Sequence, residues 1–97
     1  MNCNNTDFKF GYLMGAVSSR GADFDDVEDF VRIVNGALLN WWCKDLKLTF
    51  EMVLMLCEIY CSDIVTKDNV VYFDEGNLGA VRLETNGRLA VVPFEKV

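Results

Sequence analysis

The stretch that decides the fold is residues 49–65, TFEMVLMLCEIYCSDIV, in which twelve of seventeen residues are apolar. Its polar positions Glu51, Glu58 and Ser62 recur at helical spacing, so apolar side chains cover most of the helix circumference. The pattern predicts a core helix over residues 49–65 that other elements must surround. Because a chain of 97 residues has few elements with which to surround it, we expect a homodimer or a tight complex with a partner.

Two further helices are predicted before this stretch. Residues 6–19 begin with Thr6 as an N-cap and continue with apolar residues at helical spacing, although alternating apolar residues at 8, 10, 12 and 14 leave a strand open. Gly11 and Gly15 would let another backbone approach this helix closely. Residues 23–44 repeat apolar side chains at i, i+3, i+4 and i+7 for nearly five turns, which predicts a long amphipathic helix.

The last third of the chain has the character of a β-sheet. Strands are predicted at 70–74, 78–84 and 88–94, and Asn86-Gly87 is the signature of a two-residue hairpin turn. That turn would pair Leu83 with Ala90 and Val81 with Val92, and it places Pro93 on an edge. The predicted fold class is α+β: three helices (6–19, 23–44 and 49–65) packed on a C-terminal three-stranded antiparallel meander, in a single domain spanning 1–97.

The net charge, the apolar runs and the N-terminal residues limit the classes of protein that are expected. Fifteen acidic and nine basic residues give a net charge of −6, which disfavours direct nucleic-acid binding and suits a basic protein partner. An acidic surface also keeps an apolar domain in solution. The longest apolar run is too short to span a membrane, and residues 1–7, MNCNNTD, have neither the basic nor the apolar region typical of a secretory signal. We therefore expect a cytoplasmic protein without a membrane role.

No catalytic, cofactor-binding or metal site is predicted. The chain has no histidine, which removes the commonest general base and the commonest metal ligand. Cys3, Cys43, Cys57 and Cys61 could supply four thiolates to zinc, but they lack the short ligand spacing of structural zinc sites, so we expect reduced thiols in the core. An EF-hand loop starting at Asp23 would need glycine in place of Glu28.

Two resemblances to nucleic-acid proteins carry no function across. Three helices followed by a hairpin are similar to a winged-helix module, whose third helix enters the major groove, but the apolar run 52–56 makes that helix unsuitable for reading DNA. Residues 10–21, FGYLMGAVSSRG, resemble the signature helix of LAGLIDADG homing endonucleases through Gly11 and Gly15. Arg20 stands where that family's metal-binding acid would be expected, so no nuclease function is implied.

Partner binding is the remaining interpretation, and it gives the candidate site. Carboxylates crowd the start of the second predicted helix, and Trp42 lies off the apolar stripe that includes its neighbour, so it is a candidate contact because tryptophan is enriched at binding hot spots. Glu28 precedes Arg32 by four residues, the favourable order for an ion pair. The predicted partner-binding residues are Asp25, Asp26, Glu28, Asp29 and Trp42.

The expected function is that of a small, acidic, non-catalytic protein-interaction module. Its sharpest version is an inhibitor that occupies the basic surface of a nucleic-acid-binding protein or complex, as anti-defence accessory proteins of mobile elements do. The alternative is a structural homo-oligomeric protein that buries its apolar excess against its own copy.

Overall fold

The computed structural model describes residues 5–40, 43 and 45–92, and within them the fold is α+β as predicted. Three α-helices precede an antiparallel sheet of four strands, whose spatial order follows the chain. The helices are α1 (Asn5–Ser18), α2 (Val27–Leu38) and α3 (Phe50–Tyr60). The strands are β1 (Ile64–Lys67), β2 (Val70–Phe73), β3 (Ala80–Leu83) and β4 (Leu89–Val91). The helical interpretation of residues 6–19 is confirmed.

The second helix is shorter than predicted at both ends. Residues Gly21–Asp23 form a separate 3-10 turn, and Asp26, in extended conformation, is the N-cap of α2, since its side chain accepts a hydrogen bond from the Asp29 amide at 2.9 Å. A start at Asp23 was therefore wrong. The helix also ends at Leu38 rather than at residue 44, and residues 41, 42 and 44 lie outside the described chain.

The stretch 49–65 is divided between a helix and a strand. Thr49 caps α3 as its predicted start requires, with its hydroxyl accepting from the Met52 amide at 3.2 Å. The helix ends at Tyr60, because Cys61 is extended and the chain continues into β1. This strand pairs with β2 through the turn at Asp68 and Asn69, which both have positive φ. The prediction of three strands was therefore wrong by one.

The β3–β4 hairpin is confirmed, but its register is shifted by one residue. Leu83 pairs with Leu89 and Val81 with Val91, because the loop has three residues. The Glu84 amide donates to the Arg88 carbonyl and the Gly87 amide donates to the Glu84 carbonyl, and these bonds close the loop. Gly87 has a φ of 83°, the left-handed residue of a three-residue hairpin loop. The shift moves Leu89 and Val91 to the core face. Pro93 and residue 94 lie outside the described chain.

All three helices and the inner face of the sheet contribute to one hydrophobic core. Helix α2 lies along β3 and β4, and α1 packs against α2 and α3. Side chains that are wholly buried come from every helix and from β2 and β3, namely Leu13, Val17, Phe30, Val34, Val53, Leu56, Cys57, Val71, Phe73 and Val81.

The apolar surface of the helices is only partly covered. Met55 on α3 is 50% exposed and Phe8 on α1 is 68% exposed. No atom from another part of the described chain lies within 4 Å of a Cβ built at Gly11 or Gly15. The expected close approach of a second backbone to this glycine pair does not occur within the described structure.

The helices between residues 5 and 92, outside the gaps at 41, 42 and 44, include none with the length and apolar character required to cross a membrane.

Candidate partner-binding site

Two of the predicted contact residues, Asp26 and Asp29, are engaged in capping α2. The Asp26 side chain accepts from the Asp29 amide, and the Asp29 carboxylate accepts from the Asp25 amide at 3.3 Å. The first bond satisfies an amide that the first helical turn leaves without a partner, and the second ties the residue before the N-cap to the helix. Arg32 also forms its ion pair with Asp29, so the predicted pair of Glu28 with Arg32 was wrong. Asp26 and Asp29 therefore stabilise the helix start.

The other two carboxylates, those of Asp25 and Glu28, face solvent. Both residues are exposed, and neither side chain has a hydrogen bond or ion pair with any residue that the structure describes. They are therefore the carboxylates at this helix start that take part in no internal bond among the described residues. The fifth predicted contact, Trp42, lies outside the described residues.

An aromatic cluster holds this acidic helix start on the core. Phe24 contacts Phe30 edge to face at 5.5 Å between ring centroids, and Tyr60 at the end of α3 stacks on Phe30 at 5.4 Å. Tyr60 also meets Phe73 of β2 at 4.9 Å. Contacts of this kind fix the position of the segment that precedes α2. Burial raises the pKa of Tyr60, and the electrostatic effects of the nearby Asp26, Cys61 and Asp29 raise it further.

The turn between β2 and β3 also carries acidic residues, and its last residue contacts the start of α2. A Cβ placed on Gly79 would lie 2.8 Å from Val27 Cγ1, so the first residue of α2 packs directly on this turn. The turn carries Asp74 and Glu75, and the Asp74 amide donates to the Asp63 carbonyl at 2.7 Å. These carboxylates are distant from α2 in sequence, and sequence reasoning missed them.

The opposite end of α2 borders a small cleft of mixed charge. Its volume is about 280 Å³, and it opens between the segment that precedes α3 and the β3–β4 turn. Leu38 and Leu46 contribute apolar surface, Lys47 and Arg88 contribute cations, and Asp45 contributes an anion. The two ends of α2 are about 18 Å apart for a twelve-residue helix, so this cleft is separate from the acidic surface.

Two of the three thiols that the structure describes are core residues. Cys43 and Cys57 are buried, whereas Cys61 is partly exposed at the end of α3. Burial raises the pKa of Cys57 to about 12, with a smaller contribution from the Glu58 charge, and burial also raises the pKa of Cys43. Both thiols are therefore protonated at neutral pH. Among the residues with described positions, which exclude Cys3, no group of three or more potential ligands is arranged to hold a metal ion.

Comparison with protein-family models, with curated proteins and with solved structures finds no match to this chain.

Proposed function

We propose that this protein is a non-catalytic interaction module that uses the acidic end of α2 to contact a basic protein surface. The observation that supports the proposal is that the carboxylates at this helix start differ in their interactions. Asp26 and Asp29 cap the helix, whereas Asp25 and Glu28 are exposed and form no ion pair with any residue that the structure describes. Exposed charges of one sign steer the approach of a partner of opposite sign.

The sharpest form of the proposal is an inhibitor of a nucleic-acid-binding protein. The partner's basic groove would bind Asp25, Glu28 and the neighbouring acidic turn in place of phosphates, so nucleic acid and this protein would compete for one surface. The setting we propose is the cytoplasm, where thiols such as Cys43 and Cys57 stay reduced.

A matched pair of charge reversals tests the proposal. Glu28 and Glu51 are both exposed and occupy the same position in the first turn of α2 and of α3, two residues after the N-cap. Glu28→Lys and Glu51→Lys therefore change the net charge equally and lose the same favourable interaction with a helix dipole, about 0.3–1 kcal/mol. Only Glu28 belongs to the proposed contact.

The measurement is affinity capture from the native host with the wild-type protein, Glu28→Lys and Glu51→Lys as baits. We expect a basic protein that is retained by wild type and Glu51→Lys, that is lost with Glu28→Lys, and that is displaced by added nucleic acid. Combining Asp25→Lys with Glu28→Lys should remove residual binding. Equal recovery by both single variants would show that the carboxylates only keep the helix in solution.

The second candidate is a structural homo-oligomer, which is favoured by the exposed apolar side chains of Phe8, Leu39 and Met55. Large exposed apolar side chains are common at interfaces between copies when they form a contiguous patch. Sedimentation of the purified chain at several concentrations tests this candidate without knowledge of a partner.

A further inference from the structure

The two edge strands of the sheet, β4 and β1, differ in whether another part of the described chain bonds to their outward backbone groups. At the β4 edge, the Asn35 side-chain amide of α2 donates to the Leu89 carbonyl at 2.9 Å, and the Leu89 amide donates to Asn35 Oδ1 at 3.0 Å. One side chain thus satisfies both outward backbone groups of Leu89. The other edge is β1, and no element of the described chain lies along its outer side.

The hydrogen-bond pattern shows which groups of β1 are left open. The amide of Asp74 donates to the Asp63 carbonyl, and Val65 and Lys67 stand opposite Tyr72 and Val70. Because the bonds of an antiparallel ladder alternate along a strand, Val65 and Lys67 bond to β2. The backbone N–H and C=O groups of Ile64 and Thr66 therefore point away from the sheet, and the structure shows no bond to them from any residue that it describes.

We propose that β1 pairs with β1 of a second copy of this chain, antiparallel and about a two-fold axis at Val65. Ile64 of each copy would then stand opposite Thr66 of the other and exchange both hydrogen bonds. Since each copy contributes four strands, the pair forms one continuous sheet of eight. Addition of a strand to an open edge is a recurrent mode of recognition that satisfies the exposed backbone groups.

The side chains of β1 are complementary to a second copy in this register. Val65, 46% exposed, meets its own symmetry mate at the axis. Asp63 of each copy stands opposite Lys67 of the other, so the two-fold symmetry gives two pairs of opposite charges. Both residues are exposed, and neither has an ion pair within the described chain.

Other registers lose this complementarity. A shift of one residue places the outward amide and carbonyl groups of one strand opposite residues of the other strand whose own backbone groups are already bonded to β2. A shift of two residues in either direction sets Val65 opposite Asp63 or Lys67 and separates the opposite charges. The charge pattern therefore selects both the second copy as the occupant and the register in which it binds.

The contact is small. A pairing of about five residues on each side buries much less than the roughly 1,600 Å² of a standard interface. We expect a dissociation constant in the range of about 10 μM to 1 mM, so that monomer and dimer exchange with protein concentration.

A charge swap tests the pairing in solution. Lys67→Asp and Asp63→Lys each set like charges opposite each other twice, and each should raise the dimer dissociation constant about tenfold. The double variant Asp63→Lys with Lys67→Asp restores opposite charges and should dimerise like wild type, and so should an equimolar mixture of the two single variants. Lys47→Asp makes the same charge change away from β1 and should have no specific effect.

Amide hydrogen exchange supplies an internal control. The Val65 amide is bonded within each copy, so its exchange should be slow at every protein concentration. The Thr66 amide is open in the monomer, so its exchange should slow as concentration rises. Thr66→Pro removes only an outward donor and should abolish dimerisation while the fold is kept. A chain that stays monomeric at 1 mM, a dimer that survives Thr66→Pro, or a double variant no better than the singles would overturn the proposal.

Discussion

Asn35 shows how one polar side chain protects a sheet edge. It lies at the beginning of the last turn of α2, one turn after Val31 on the side of the helix that faces the core, and its carboxamide offers one donor and one acceptor to Leu89. A fifth strand would offer the same two groups to this residue. The sequence signal for this role is a polar residue on an otherwise apolar helical stripe.

Replacing Asn35 should therefore be costly. Asn35→Ala leaves the amide and carbonyl of Leu89 without partners in a partly buried position, and we expect a loss of about 1–3 kcal/mol in the free energy of unfolding. Asn35→Asp keeps the acceptor but places a charge beside the carbonyl, so it should fall between Asn35→Ala and wild type at neutral pH. Urea denaturation measures the series. If Asn35→Ala unfolds with the wild-type midpoint, water at the edge replaces the side chain without cost.

The placement of α2 depends on a contact with a turn far away in the sequence. Val27, its first residue, is buried against Gly79, where the chain has a φ of +108°. A conformation in this region is open to glycine and strained for other residues. The first residue of α2 thereby packs on the β2–β3 turn, and Phe30 in its next turn stacks on Tyr60.

Gly79→Ala should weaken this contact for two separate reasons. The added Cβ would lie 2.8 Å from Val27 Cγ1, and alanine resists the positive φ. We expect a loss of about 1–3 kcal/mol in the free energy of unfolding, measured by thermal or urea denaturation. Gly11→Ala is the matched control, since nothing lies within 4 Å of its Cβ and its helical position should instead gain up to about 1 kcal/mol. A Gly79→Ala protein as stable as wild type would show that the turn moves freely away from α2.

Over the whole molecule, the two proposed contact surfaces use different residues. The proposed contact with a basic partner uses the exposed carboxylates at the start of α2, whereas the proposed pairing of two copies uses the outward amides and carbonyls of β1. The two surfaces do not share a residue, so Glu28→Lys should leave dimerisation unchanged and Thr66→Pro should leave capture of a basic partner unchanged. Failure of one proposal can therefore be told from failure of the other.

The stability of the whole domain should also fall in alkaline solution because of Cys57. Its pKa is about 12 in the folded protein against an ordinary 9.0, so the folded state holds the proton more tightly than the unfolded chain does. The stabilisation is complete below about pH 9 and is lost as pH rises towards 12, with an upper bound of about 4 kcal/mol.

Urea denaturation at several values of pH between 7 and 11 checks this expectation. Cys57→Ala should be less stable than wild type at pH 7 because it leaves a small cavity, and its stability should fall less steeply with pH. Val53→Ala leaves a cavity in the same helix without removing a titratable group, so it should keep the wild-type pH dependence. Parallel curves for wild type and Cys57→Ala would contradict the assigned pKa.

The sequence by itself determined the three helices, the antiparallel sheet and the acidic surface, because hydrophobic periodicity and charge are local properties. The Thr49 cap and the β3–β4 hairpin were also predictable from short motifs. Tertiary structure decided where residues 49–65 change from helix to strand, because apolar side chains suit both a core helix and a strand paired with β2. It also decided which carboxylates cap α2 and which face solvent. That assignment depends on where the chain becomes extended at Asp26, and this position is set by the packing of Phe24 and Val27 on residues distant in the sequence.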